Sequence, residues 1–91
     1  MTEDPNAMLA RASARLKGDK ALSDAAQAAW DRICTAIGKR ALAARPRPKV
    51  FEVHHETQVC RAAFLTVIAD GGTIEQAEAA GFERTQLPEE G

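Results

Sequence analysis

Apolar residues recur every three or four positions along most of the chain, the spacing of a helix face. Met8, Leu9, Ala12 and Leu16 make the first run. Asp4 can accept from the free amides of a first turn, and Pro5 suits the first helical position. Arg11, Arg15 and Lys17 load the far end with positive charge, and Gly18 is a natural stop. The pattern predicts a helix over about 5–17. Leu22, Ala26, Ala29, Trp30, Ile33, Ile37 and Ala41 form the second apolar face, with Asp19 and Ser23 as competing caps. A second helix is expected over about 20–44, with Gly38 inside it. That glycine costs roughly 1 kcal/mol against alanine and offers room for another helix to approach. Arg45-Pro46-Arg47-Pro48 then reads as a stiff, extended, basic linker over 45–49.

Val50, Phe51 and Val53 are expected to form an extended lead-in whose aromatic covers the core, because a strand there would have no partner for its backbone. Val59, Cys60, Ala63, Phe64, Val67 and Ile68 mark a third helix, about 53–70, ending at Asp70-Gly71-Gly72. Thr73 and Gln76 have the spacing of a capping box. They predict a short fourth helix over about 74–80, with Gly81 as a left-handed exit and Phe82 as the apolar contact after it. The expected fold is all-α: a single domain over 1–91, a small bundle of three to four helices. The first two form a hairpin (1–44), the next two a crossed pair (50–82), and an acidic flexible tail covers 83–91.

Composition narrows the function classes. The chain has 91 residues, of which 19 are alanine. Few bulky apolar side chains mean a thin core and closely packed helices. A large enclosed enzyme pocket and a dinucleotide fold are both disfavoured. No apolar stretch reaches the length of a membrane span, and the acidic start is unlike a signal peptide. Cys34 and Cys60 fall in apolar periodic segments and read as buried thiols in a reducing, cytoplasmic compartment, a disulfide between them being the alternative.

Formal net charge is only -1, but it is unevenly spread. Residues 32–49 carry Arg32, Lys39, Arg40, Arg45, Arg47 and Lys49 and no acid, a charge of +6. Residues 70–91 carry -5. Complementary regions of this kind suit pairing across subunits or with outside partners.

One segment resembles a known family. In 62–87, Phe64, Leu65, Val67 and Ile68 suit a first helix, and Gly72, Thr73, Ile74, Ala77 and Ala80 suit a turn and second helix. Gly81 and Phe82 suit a second turn, with Arg84 and Thr85 where a recognition helix would begin. This resembles the helix-turn-helix start of the small terminase subunits of tailed phages. The resemblance implies ring-shaped homo-oligomers in DNA packaging, assembled through a helical hairpin. Leu22, Trp30, Ile33 and Ile37 would then be seam residues, and Arg40, Arg45, Arg47, Lys49 and Arg84 would meet nucleic-acid phosphates. The sequence departs from the family after Gln86: Leu87-Pro88-Glu89-Glu90 replaces the basic length that a recognition helix needs. Duplex DNA contact is therefore expected to be nonspecific attraction to the phosphates.

The remaining candidate chemistry is His54, His55, Glu56 and Cys60 as metal ligands. Zinc needs three or four ligands converging at about 2.0–2.3 Å, and this spacing fits no single helix face. Glu56 reads instead as favourable to a helix N-terminus, with one histidine packed on the core. Cys60 as a nucleophile is opposed by its place on the apolar stripe. Glu75 and Glu78 have no apolar surroundings to raise a pKa for acid work. No enzymatic activity, cofactor or membrane contact is expected. The alternative to a nucleic-acid role is a helical adaptor or regulator that binds a protein partner through the acidic tail.

Overall fold

The computed structural model describes residues 4–85. Over them the chain is helical, with no strand: α1 Pro5–Lys17, α2 Lys20–Ala43, α3 Val50–Ala69 and α4 Ile74–Glu83. None of these helices is long and apolar enough to cross a membrane. The caps follow the local chemistry. Asp4 accepts from the Asn6 amide at 2.8 Å, and Pro5 needs no partner in the first turn. Asp19, not Ser23, starts α2, accepting from the Leu22 amide at 3.1 Å. Thr73 and Gln76 form the reciprocal box at α4, with bonds of 3.1 and 2.9 Å.

The turn between α3 and α4 is built on a glycine pair. Gly71 takes a positive φ of 86°, a region open to glycine at little cost. The Gly71 amide reaches the Ile68 carbonyl, and the Gly72 amide reaches that of Val67. This paired motif closes the orphan carbonyls at the end of α3.

The core holds Ala12 of α1, Ala26, Ala29, Ile33 and Ile37 of α2, Cys60, Phe64 and Ile68 of α3, and Ile74 and Ala77 of α4. Half of these ten residues are alanine or cysteine, so the helices stand close together and the core is thin. α3 and α4 pack most intimately, and α1 lies mainly against α3 rather than along α2. The first two helices are consecutive and touch, and α1 makes the larger part of its contact with α3.

Four local expectations are corrected. α3 begins at Val50, so Val50, Phe51 and Val53 lie in helix and not in an extended lead-in. The Lys49 amide donates to Glu52 Oε1 at 3.3 Å, a start signal one turn earlier than expected. α4 runs through Gly81 to Glu83, so Gly81 is no left-handed exit. Its role is close approach: a Cβ there would stand 2.7 Å from Ile33 Cδ1. Gly38 has nothing within 4 Å of such a Cβ, so no helix uses it for approach.

Candidate nucleic-acid interface

The basic corner is made where α2 stops. Pro46 and Pro48 cannot continue a helix, so the chain turns and re-enters helix at Val50. Arg45, Arg47 and Lys49 are all exposed along this turn. Arg45 also serves the fold, because its guanidinium donates to the carbonyls of Leu42 and Ala44, each at 2.8 Å. These are orphan acceptors at a helix C-terminus, where a cation is favoured. The Lys49 ammonium lies 5.9 Å from the centre of the Phe51 ring, within cation–π range.

The other basic residues are placed differently. Arg40 is half-buried, and its charge acts inward on Cys60. Arg32 pairs with Glu78 on α4 through two hydrogen bonds of 2.7 and 2.8 Å. That forked pair holds Glu78 below the ordinary carboxylate range, chiefly by hydrogen bonding, and raises Arg32 for the same reason. One charge of the basic stretch is therefore spent on the fold. Arg84 is exposed at the end of α4. The adjacent Thr85 hydroxyl donates to Glu56 at 2.9 Å. Glu56 is six residues along α3 from Val50, about 9 Å of helix axis. Thr85 is thus tied to α3. Residues 86–91, with the rest of the expected acidic tail, lie outside the described residues.

Three apolar side chains accompany the cations: Leu42, Val50 and Phe51 are 62%, 87% and 67% exposed. Phe51 does not cover the core, contrary to its expected place. The signal for this was present in the sequence. Counting back from Cys60 by helical steps gives Glu56 and Val53 on the inner side, which puts Phe51 on the opposite face and Val50 to one side.

The expected seam residues divide. Ile33 and Ile37 are 1% and 3% exposed within a single chain, so they are packed inside it and are not on offer to a neighbour. For Ile33 the reason is Gly81, which lets α4 close onto it. Leu22 and Trp30 are half-buried at the edge of the core. The Trp30 ring is 5.6 Å from that of Phe64 at 50°, a tilted aromatic contact.

The candidate ligand cluster is scattered. His54 and His55 are both exposed, so neither packs on the core, whereas Glu56 and Cys60 are buried. Among the described residues no group of three or more His, Cys, Asp or Glu could hold a metal ion. Both thiols are free. Cys60 is buried as expected, and burial with nearby Glu56 pushes its thiol pKa up, against a smaller pull from Arg40. Cys34 is exposed, which corrects its expected burial; partial desolvation and Asp31 raise its thiol. It sits one position past Ile33 on α2, just off the buried stripe.

A scan of protein-family models and searches of curated proteins and of solved structures find no match to the chain.

Proposed function

We propose that the protein is a homo-oligomeric, non-enzymatic, nucleic-acid-associated protein, of the DNA-packaging kind that the resemblance to small terminase subunits implies. Arg45, Arg47 and Lys49 meet phosphates without reading bases. One observation carries this: those three cations are exposed together at one corner of the bundle, in a stretch with no acid. The helix-turn-helix part of the resemblance supplies the α3–turn–α4 scaffold only. With α4 running on to Glu83, no second turn precedes Arg84, which supports contact by charge over base readout. Two free thiols support a reducing, cytoplasmic setting.

The test is fluorescence anisotropy of a labelled DNA duplex against ionic strength. Affinity should fall steeply with salt, at a slope of about -0.9 per phosphate neutralised. The variant R45E/R47E/K49E should abolish binding at low salt. Unchanged affinity in that variant rejects the corner as the interface.

A second reading is favoured by the exposed Leu42, Val50 and Phe51: a helical adaptor that binds another protein and no nucleic acid. Apolar surface left open beside charge is common at protein interfaces. A wild-type chain that ignores duplex even at low salt would select this reading.

A further inference from the structure

We infer that copies of this chain assemble head to tail, with Phe51 of one copy seated against Trp30 and Phe64 of the next. The proposal rests on the homo-oligomeric part of the function proposed above, and it moves the seam away from Ile33 and Ile37.

The receiving site is an open groove between α2 and α3, flanked by α1. It has a volume of about 190 Å³ and is lined by Leu16, Ala26, Trp30, Phe64 and Leu65, with Gln27 also bordering it. Small-molecule sites usually span roughly 300–1,000 Å³. This one is the size of a side chain or two, and aromatic residues form its walls. The matching knob is Phe51, with Val50 and Leu42 beside it, the large apolar side chains left exposed among the described residues.

The two features cannot satisfy each other within one chain. Ala26 and Leu42 are sixteen residues apart on α2, about 24 Å along its axis. Phe51 and Phe64 are thirteen apart on α3, about 20 Å. Straight helices hold knob and groove at opposite ends, so only another copy can bring them together.

Charge supports the same docking. Arg61 is the cation bordering the groove, and its complement in the docked copy is Glu52, the carboxylate next to Phe51. This pairing leaves Arg45, Arg47 and Lys49 to the phosphates. A contact joining two different patches is heterologous, and its repetition closes a ring or runs on as a filament.

The experiment is light scattering on size-separated protein over a range of concentrations, with no nucleic acid present. Wild type should show a mass well above one chain, rising with concentration, and Trp30 emission should move to the blue as Phe51 covers it. Phe51→Ser removes the knob and Gln27→Phe fills the groove. Both positions are exposed, so both variants should keep their helical circular dichroism and run as single chains. Mixed in equal amounts, they retain one good knob and one good groove between them, and should form a species of two chains and no larger. A wild type that stays at one chain throughout overturns the proposal. So does either variant assembling as wild type does, or a mixture that remains at one chain. Assembly is read here without DNA, so its failure and a failure of duplex binding are separate results.

Discussion

Arg15 on α1 donates its guanidinium to the carbonyl of Gly72, 2.7 Å away, and the same nitrogen reaches the carbonyl of Ile68 at 3.0 Å. One turn earlier, Arg11 donates to the carbonyl of Ala69 at 2.8 Å and contacts Asp70 at 3.4 Å. Two arginines of the first helix thus close the end of the third. The carbonyls there carry the negative end of the helix dipole, so a cation gains from both hydrogen bonding and field. This clamp explains why α1, a short helix that would be marginal alone, has a fixed place on α3.

Arg15→Met keeps the aliphatic stem and removes the donors. It should destabilise the fold by about 1–3 kcal/mol, the range for a partly buried hydrogen bond to a charged group. Arg11 is more exposed, and Arg11→Met should cost under about 1 kcal/mol. Urea unfolding followed by circular dichroism measures both. Equal effects would show that the two arginines do not differ as their burial requires.

The glycines of α2 and α4 should respond oppositely to the same change. Gly38 is helical with open space around it, so Gly38→Ala should stabilise by about 0.5–1 kcal/mol through helix propensity. Gly81→Ala gains the same propensity but drives a methyl toward Ile33 Cδ1, whose side chain is itself fully buried. Overpacking of this kind costs about 1–3 kcal/mol, so the net effect should be loss. Ile33→Val removes the opposing methyl, and the double variant should recover part of that loss. Additive effects in the cycle would reject the contact.

The helix count and most helix limits were readable from apolar spacing and caps, because both are local. Asp4-Pro5, Thr73 with Gln76, and the stripe from Leu22 to Ile37 each act within a few residues. What escaped was set by distant parts of the chain. Arg15 meets Gly72 across 57 positions, and Arg32 meets Glu78 across 46. Nothing near Arg15 marks it as more than the end of its own helix. Gly81 read as a terminator because glycine ends helices locally, yet here Ile33 demands it from another helix. The basic corner was legible as charge. Its apolar part is less so, because residue type points Phe51 to the core while its position around α3 points it outward.

Cys34 and Cys60 should differ sharply toward a thiol reagent. Cys34 is exposed and Cys60 is fully buried. One thiol per chain should react in the native protein and the second only after denaturant. Both pKa values are raised, so even Cys34 should react more slowly at neutral pH than an unhindered cysteine. Mass spectrometry of a timed labelling reaction gives the order. Two fast sites would mean that α3 opens readily around Cys60.

Acid should weaken the link between α2 and α4. Glu78 has its carboxyl pKa lowered in the fold, mainly by the hydrogen bond from Arg32, with the charge of Arg32 adding and desolvation opposing. The unfolded chain therefore binds a proton to this group at a higher pH than the folded chain does. By linkage, stability from this group is present in full above the ordinary glutamate range. It is lost as pH falls through that range and then through the lower folded value. Raising the pH from neutrality should not weaken this pair until Arg32 itself titrates, and its pKa is raised as well. The pair is partly exposed, so its worth is modest and salt should reduce it further. Glu78→Gln keeps the shape of the side chain and removes its titration. Comparing urea midpoints of wild type and E78Q from neutral pH into acid isolates the effect. The difference between them should shrink toward zero below the folded pKa of Glu78. A difference that stays constant with pH would show that Arg32 and Glu78 are not paired in solution.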